Sequence, residues 1–370
     1  MQQSNHLHIV TFNVPWPADY GGVIDVYYRM VGLVKVGVKI HLHCYEYGRE
    51  KVPHLEQICE EVHYYRREVG WRHQFEVKPY IVASRSSRQL IENLQKDNYP
   101  ILLEGLHNGF VLEQLAHLDR KISVRAHNVE HDYYLALSRV ERSVWKRLFF
   151  WAEAIKLKHY EPVLAKASNI LAINEKDASY FRNKNYAPVH VLPPSHGHEE
   201  VLSQLGTGQY VLYHGNLEVA ENIETVEYIL DNLVLNTDIE FVFAGRNPSD
   251  ALCAKVAQYQ HARIVANPNN EQMGELLRNA QVNVLFTEQS TGVKLKLINA
   301  LYEGRHCLVN TKMVEGTGLT EACVVADTAD DQLALLQSLF STPFDQNHLE
   351  KRKKILGETA SFTQIKNIIL

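Results

Sequence analysis

Two successive series of short apolar runs and amphipathic stretches dominate the sequence. In each series, apolar runs short enough for strands alternate with stretches whose apolar residues recur at helical spacing. This alternation is typical of a parallel sheet with both faces covered by helices. The predicted strands are 8–13, 38–45, 101–104, 122–126, 170–173 and 189–192 in the first series, and 210–214, 240–244, 264–266, 282–286, 306–309 and 323–326 in the second.

The length of the chain implies two domains. Its 370 residues exceed the roughly 250 to 300 at which a single core usually stops growing. Prolines and glycines crowd 193–208, where apolar periodicity is lost, so we place a linker there. We predict an α/β fold of two Rossmann-like domains whose parallel sheets face a central cleft. The first domain covers 1–194, the second covers 195–345, and a basic helical tail covers 346–370.

Composition excludes several classes of protein. Lysine and arginine total 38 against 43 acids, a formal net charge of -5, so no global positive field recruits nucleic acid. The five cysteines are odd in number and never form a CxxC pair, which argues against a disulfide framework and a zinc site. The first residues lack the pattern of a secretory signal, and no apolar run is long enough to span a membrane. We expect a cytoplasmic protein that binds anions locally.

Ligands of open parallel sheets bind outside the carboxyl ends of the strands, so the loops at those ends are candidates. Gly21 and Gly22 open the first helix, where a missing side chain lets a ligand approach the helix amides. A simple turn explains this pair equally well. His127 and Asn128 follow a predicted strand and are expected to face the cleft. The alternative is that His127 only closes a local turn. His127 and His131 are spaced like metal ligands, but no third ligand is evident, so we predict no metal.

Two strand ends in the second domain carry glycine turns, YHGN at 213–216 and FAGRN at 243–247. Such turns hold nucleotides in doubly wound folds, so Gly215, Asn216 and Arg246 are donor-site candidates, although most turns of this kind are purely structural. No GxGxxG follows the first strand and no P-loop pattern occurs, so neither nicotinamide nor P-loop chemistry is indicated.

The segment TGVKLK at 291–296 is the strongest candidate for a phosphate site. Thr291 and Gly292 open a helix whose N-terminal amides could meet a phosphate, and Lys294 and Lys296 bring positive charge close. Two lysines on a solvated helix face are the ordinary alternative. We favour a diphosphate site because amides, a hydroxyl and cations come together behind a strand end.

One long helical pattern carries aromatic and basic residues. The apolar spacing over 130–167 predicts a long or broken helix, which Pro162 caps or kinks. Its segment 145–160, WKRLFFWAEAIKLKHY, leaves two interpretations open. It could pack in the core, or it could lie at the surface of the inner membrane and meet a lipid-linked acceptor. Because acids are interspersed and the net charge is negative, we favour the core, with peripheral membrane contact as the alternative.

Six motifs, in the order in which they occur along the chain, resemble those of a known family. They are PWPADYGG at 15–22, RAHNVEHDYY at 125–134, LAINEKDASYF at 171–181, YHGNLEVAENIETVEYI at 213–229, FAGR at 243–246 and TGVKLKLINALYEGRHCLVNTKMVEGTGL at 291–319. With them, nearly the whole chain resembles the GT-B glycosyltransferases of the group 1 type, the family 4 retaining enzymes. The resemblance is greatest to a divergent bacterial branch used in polysaccharide assembly.

This resemblance implies GT-B architecture, in which the second domain binds the donor and the first binds the acceptor. It further implies that the C-terminal helix crosses back to the first domain and that anomeric configuration is retained. His127 matches the position where related enzymes place an active-site histidine near the donor sugar. The implied partners are a nucleotide-sugar donor as substrate and a glycan or lipid-linked acceptor, with no cofactor.

The chain departs from the family pattern at its charged positions. Family members often hold the donor diphosphate with an Arg and a Lys, where this chain shows Asn216 and Glu221. The family's two glutamates would fall on Thr291 and Asn299. These losses put catalytic competence in question, and they assign neutralisation of the diphosphate to the lysines of 291–296, the amides there and Arg246, without a metal.

The sequence therefore predicts a glycosyltransferase that moves a hexose or related sugar from a nucleoside diphosphate donor. The missing charges motivate a first alternative, a non-catalytic protein that binds a sugar nucleotide or a partner enzyme. A nucleotide-sugar epimerase on the same architecture is the second alternative, for which we find no catalytic motif.

Overall fold

Each of two units in the computed structural model is built on a parallel β-sheet. The structure describes residues 5–70, 72–73, 76–141, 143–288, 294–357 and 361–370. Within these residues, the first unit contains 5–197 and 361–370, and the second contains 198–288 and 294–357.

The strands form one sheet in each unit, and every described pairing is parallel. The first sheet has the order β3-β2-β1-β4-β5-β6-β7, and the second has the order β10-β9-β8-β11-β12-β13. The first sheet consists of β1 His6–Thr11, β2 Lys39–Glu46, β3 Glu61–Arg66, β4 Ile101–Glu104, β5 Ile122–Ala126, β6 Asn169–Ala172 and β7 Val189–Val191. The second consists of β8 Tyr210–Asn216, β9 Phe241–Arg246, β10 Ala262–Ala266, β11 Ala280–Leu285, β12 His306–Val309 and β13 Val324–Val325.

Helices connect the strands and cover the sheets. They are α1 Gly21–Lys35, α2 Pro53–Glu56, α3 Tyr80–Ala83, α4 Arg88–Leu94, α5 Gly109–Leu115, α6 Glu130–Val140, α7 Val144–Tyr160, α8 Glu175–Lys184, α9 Ala220–Asn232, α10 Asp250–Val256, α11 Asn270–Asn279, α12 Leu295–Glu303, α13 Thr311–Val314, α14 Ala329–Ser341, α15 Gln346–Gly357 and α16 Phe362–Ile369. Among the helices of the described residues, none is both long and apolar enough to cross a bilayer.

The strand order creates one switch point in each sheet. The chain moves outward from β1 in one direction through β2 and in the other through β4, and it does the same around β8 with β9 and β11. In doubly wound sheets, ligands bind beyond the carboxyl ends of the strands at such a point. The predicted α/β class with two parallel sheets is confirmed, and the switch points identify the two sheet edges to search for a site.

The tail predicted as one helix over 346–370 contains two helices in different units. α15 belongs to the second unit, whereas α16 belongs to the first and packs against α1. The Phe362 ring lies over Gly32 of α1, where a Cβ would stand 2.2 Å from the ring. Glycine at this position therefore allows α16 to approach α1 closely.

The long or broken helix predicted over 130–167 is broken into two helices, α6 and α7, followed by a 3-10 turn over 161–166. The chain leaves helical geometry at Glu141, which has extended backbone angles, rather than at Pro162. The favoured core interpretation of 145–160 is wrong for one face of α7, because Trp145 is 82% exposed and Trp151 is 53% exposed. The opposite face is buried through Glu153 and Leu157.

Four histidines form a ladder across β1 and β2. His6 Nδ1 lies 2.8 Å from His41 Nε2, and His8 Nδ1 lies 2.8 Å from His43 Nε2. His8 Nε2 also lies 3.0 Å from Asp97. Burial lowers the pKa of His8 to about 4, against the opposing pull of Asp97, and burial together with neighbouring histidines lowers the pKa of His43. The folded first unit therefore favours neutral imidazoles in the ladder.

Acidification is expected to destabilise the first unit. His8 titrates near its ordinary pKa of 6.5 in the unfolded chain but near 4 in the folded one, so the unfolded chain binds the proton more readily. The contribution of neutral His8 to the free energy of unfolding is fully present above a pH of about 6.5. It is lost as the pH drops toward 4, which lowers the free energy of unfolding by about 3 kcal/mol for His8 alone. Thermal melting against pH should be flatter in a His8→Gln/His43→Gln variant. An exposed-histidine control, His117→Gln, should keep the wild-type slope, and an equally steep double variant would contradict this account.

Candidate functional site

At the carboxyl edge of the first sheet, an aromatic ring and two histidines meet. The Phe12 ring centre lies 5.3 Å from that of His107 and 5.6 Å from that of His127. These residues follow the ends of β1, β4 and β5, so they lie beside the switch point. A Cβ on Gly22 would stand 2.9 Å from the Phe12 ring. Gly22 therefore makes room for Phe12 at the start of α1, which Gly21 opens.

His127 is held between two carboxylates. Its Nε2 lies 2.9 Å from Glu104 Oε2, and its Nδ1 lies 3.8 Å from Asp25 Oδ2. The imidazole side chain is only 8% exposed. A carboxylate only accepts hydrogen bonds, so Nε2 donates to Glu104. Nδ1 of His127 and the side-chain oxygen of Asn128 have no hydrogen-bond partner among the described residues.

Beneath His127 lies a buried charge cluster of Asp25, Arg29, Glu104 and Arg125, all fully buried. Arg29 donates to Asp25 at 2.9 Å and to both oxygens of Glu104 at 2.8 Å. Arg125 donates to Asp25 at 3.1 and 3.2 Å. The two cations balance the two carboxylates. Although burial opposes it, Arg125 and Arg29 lower the pKa of Asp25, and Arg29 and His127 lower that of Glu104.

The charge cluster also ties several parts of the backbone together. The backbone N–H of Ser195 donates to Asp25 at 2.7 Å. Arg125 donates to the carbonyl oxygens of Leu171, Ala172 and Leu192. Helix α1, the central strands and the segment after β7 therefore share one set of buried ionic hydrogen bonds.

Sequence reasoning missed the charge cluster, although a signal was present. Asp25 and Arg29 stand four residues apart on a helix whose other buried residues are mostly apolar. Glu104 and Arg125 stand within short, fully buried strands. Since charged residues are almost never fully buried unless paired, charges inside such runs indicate partners elsewhere in the chain.

Replacing Asp25 with asparagine is expected to lower the free energy of unfolding by about 3 to 5 kcal/mol, because it leaves two buried guanidinium groups with one carboxylate. Urea denaturation of the whole protein measures the change. Glu175→Gln is the matched control, since Glu175 pairs with Arg182 on an exposed surface, where a pair contributes about 1 kcal/mol or less. Equal losses of unfolding free energy in the two variants would show that the buried cluster stabilises the protein no more than an exposed ion pair does.

At the carboxyl edge of the second sheet, two glycine turns lie side by side. Gly215 pairs with Gly245, and Asn216 pairs with Arg246. A Cβ on Gly245 would stand 1.8 Å from the carbonyl oxygen of Gly215, so a side chain there is sterically excluded. Asn216 and Arg246 are exposed at the ends of their strands.

A partly buried lysine stands at the switch point of this sheet. Lys296 Nζ donates to Asn222 Oδ1 at 3.3 Å and lies 5.5 Å from the centre of the Tyr213 ring. Burial lowers the pKa of the Lys296 ammonium, and the negative charge of Glu221 opposes that shift. Glu221 itself accepts a hydrogen bond from Thr287, which follows β11. The first turns of α9 and α12 and the end of β11 thus converge on one cation.

His214 adds a second polar group beside this lysine. It is buried in β8, and burial, reinforced by Lys296, lowers its pKa to about 3. Its Nε2 has no hydrogen-bond partner within the described ranges. Within the described ranges, His214 thus has a ring nitrogen without a hydrogen-bond partner, and the Lys296 ammonium has N–H donors that remain available. A bound ligand would supply hydrogen-bond partners to both groups.

Of the remaining residues predicted to bind the donor, some lie outside the described residues and others lie at the start of α12 or on it. Thr291 and Gly292 lie outside the described residues, and α12 begins at Leu295, with Lys294 as its N-cap residue. Asn299 lies on α12 with its side-chain oxygen 2.9 Å from His198 Nε2. His198, in the segment predicted to be the linker, stacks its ring on Tyr302 and is half-buried.

The described residues contain no group of three or more histidine, cysteine, aspartate or glutamate side chains arranged to hold a metal. His131, the second histidine of the HNVEH segment, instead lies 3.0 Å from Glu161 through Nδ1.

Comparison with known proteins shows the fold. No family model matches the sequence. The chain is 26% identical over 340 residues to an uncharacterized 44.6 kDa protein in the cps region of Klebsiella pneumoniae, covering 86% of this chain and 87% of that protein. Three solved structures are similar at low identity, and each match covers 98% of this chain.

The first is the sucrose-phosphate synthase of Thermosynechococcus elongatus, with a TM-score of 0.62, 14% identity and 94% of that chain covered. The second is an α,α-trehalose-phosphate synthase (UDP-forming) of Burkholderia vietnamiensis, with a TM-score of 0.61, 9% identity and 97% covered. The third is Arabidopsis thaliana UGT89C1 complexed with UDP-L-rhamnose, with a TM-score of 0.58, 10% identity and 98% covered. The resemblance to GT-B glycosyltransferases is therefore confirmed at the level of the fold.

Proposed function

We propose that this protein is a glycosyltransferase that moves a sugar from a nucleoside diphosphate donor to a glycan or lipid-linked acceptor. The observation that carries the proposal is the partly buried Lys296 at the switch point of the second sheet. Burial lowers the pKa of its ammonium, so keeping the charge costs free energy that a bound anion offsets. A fold shared with a structure that holds UDP-L-rhamnose supports a nucleotide sugar as that anion.

The second unit binds the donor and neutralises its diphosphate. Lys294 and Lys296 supply positive charge, and the N-terminal ends of α9 and α12 add the positive ends of the helix dipoles. Removing one such donor of charge stabilisation costs on the order of 3 kcal/mol in the transition state. The reaction needs no metal and retains anomeric configuration. The proposed donor site also contains Gly215, Asn216, Arg246, Thr291, Gly292 and Asn299.

A Lys294→Ala/Lys296→Ala variant is expected to bind its nucleotide sugar roughly a hundredfold more weakly, because two charge-assisted interactions are lost. Isothermal calorimetry with a panel of UDP-, GDP- and dTDP-sugars identifies the donor and then measures the loss. Unchanged affinity would mean that the phosphate site is misplaced.

Two further variants make this measurement specific. Lys255→Ala removes a cation from the same unit that pairs with Glu227 on the outer side of α9, so it should leave affinity unchanged. Glu221→Gln should tighten binding, since a carboxylate beside Lys296 repels the diphosphate. Weaker binding by Glu221→Gln would assign this carboxylate to a ligand hydroxyl instead.

The first unit binds the acceptor and presents His127 to the reacting sugar. Glu104 fixes the orientation of the ring, and the position of His127 just after β5, at the switch point, supports its assignment to the sugar. Asn128 follows His127 at the same edge, and its side-chain oxygen is buried without a hydrogen-bond partner among the described residues. Gly21 and Gly22 open α1 beside them.

His127→Ala is expected to reduce sugar transfer by roughly 10² to 10⁴ while leaving donor affinity almost unchanged, because the donor is bound by the other unit. Single-turnover transfer assays and donor calorimetry on the same preparation separate the two effects. His117→Ala, at an exposed histidine, serves as the control. Equal losses in transfer and donor binding would reassign His127 to the donor pocket.

The biological setting proposed is polysaccharide assembly in the cytoplasm, at the inner face of the membrane. A relative encoded in a capsule (cps) region supports this setting. One observation favours a second candidate, a non-catalytic sugar-nucleotide-binding protein: Asn216 and Glu221 stand where related enzymes place cations.

Incubation of the pure protein with the panel of nucleotide sugars and a glycan or lipid-linked acceptor distinguishes these candidates. Transfer, or slow hydrolysis of the donor, supports the transferase. Binding without turnover supports the non-catalytic protein, and an epimerised donor supports a nucleotide-sugar epimerase.

A further inference from the structure

Helix α7 exposes an apolar stripe over its first three turns. Val144, Leu148, Trp151 and Ile155 are all exposed, and their spacing of four, three and four residues places them on one face. Trp145 is exposed beside this stripe. The stripe runs from Val144 to Ile155 in a helix of 17 residues, so it extends over about 17 Å.

The stripe does not belong to the core of the first unit. The buried residues of α7 are Glu153, Ala154 and Leu157, and they lie on the other side of the helix. Two tryptophans and three aliphatic side chains thus remain in contact with water. An exposed contiguous patch of this kind marks an interaction surface more often than chance.

The charged residues exposed on α7 itself are all basic, and Glu141, just before the helix, accepts a hydrogen bond from the Ser143 amide at 2.8 Å. Lys146, Arg147 and Lys158 are exposed on α7. The single acid of the helix is Glu153, which is buried, pairs with Lys156 at 2.9 Å and accepts a hydrogen bond from the Tyr80 amide at 2.6 Å. A chain with a formal net charge of -5 therefore presents a helix face without a carboxylate.

We propose that the exposed face of α7 docks on the surface of an anionic lipid bilayer. Tryptophans settle at the boundary between headgroups and acyl chains, and leucine, valine and isoleucine insert below them. Arg147 and Lys158 lie along one side of the stripe, where they meet lipid phosphates. A second copy of the chain is a poorer occupant, since a symmetric contact between two α7 faces would bring like charges together.

The docking proposal stands independently of sugar transfer, because it rests on α7 alone. With one helix face and a few cations, the contact is weak, reversible and sensitive to salt. Flotation with vesicles tests it directly, without donor or acceptor. The protein should float with vesicles of phosphatidylcholine and phosphatidylglycerol, stay in solution with phosphatidylcholine alone, and be released by high salt.

Matched variants locate the contact. Leu148→Gln/Trp151→Gln should lose at least roughly tenfold in partitioning, whereas Leu235→Gln, at a similarly exposed leucine of the second unit, should behave as wild type. Arg147→Gln/Lys158→Gln should lose about fivefold for each cation. Lys353→Gln/Lys354→Gln removes two exposed cations of α15 and should have little effect.

Melting temperatures show that each variant folds, and sedimentation velocity without lipid reports self-association. Failure of the wild type to float, or equal flotation of the Leu148→Gln/Trp151→Gln variant, overturns the proposal. A dimer that Trp151→Gln dissociates would assign the stripe to a second copy. Quenching of tryptophan fluorescence by brominated lipid, lost in a Trp145→Phe/Trp151→Phe variant, would support insertion of α7.

Discussion

The buried charge cluster of the first unit is the interaction on which the geometry of the His127 edge depends. Its four ionic side chains come from α1, β4 and β5, and each is stable in the interior only while its partners hold it. The register of α1 against the sheet is therefore coupled to the orientation of the imidazole. Glu104 links the two, since it binds Arg29 with both oxygens and His127 with one.

The corresponding edge of the second sheet has the opposite electrostatic character. In the first unit, two cations and two carboxylates balance one another beneath His127. In the second unit, Lys296 is partly desolvated and has one hydrogen bond, to Asn222, within the described residues. Two sheets of related strand order thus carry a charge-balanced edge in the first unit and an edge with a partly buried cation in the second.

The predicted strands were most accurate where apolar runs are fully buried. β4, β5 and β12 have the predicted bounds because every residue of these strands is buried between covering helices. β3 was missed, since it pairs only with β2 at the edge of the sheet and most of its residues are polar or half-buried. The core interpretation of α7 failed for its exposed face. Periodicity reveals that a helix has an apolar face, but it does not reveal what that face contacts.

Local pattern alone determined the α/β class, the two sheets and the candidacy of His127 and Lys296, since each depends on residues near one another in the sequence. Tertiary structure alone decided which distant charges meet. Asp25, Glu104 and Arg125 come from separate elements, and only the parallel pairing of β1, β4 and β5 brings them within hydrogen-bond distance. The exposure of α7 was likewise decided by packing, because burial depends on the neighbours that the fold supplies and not on the helix itself.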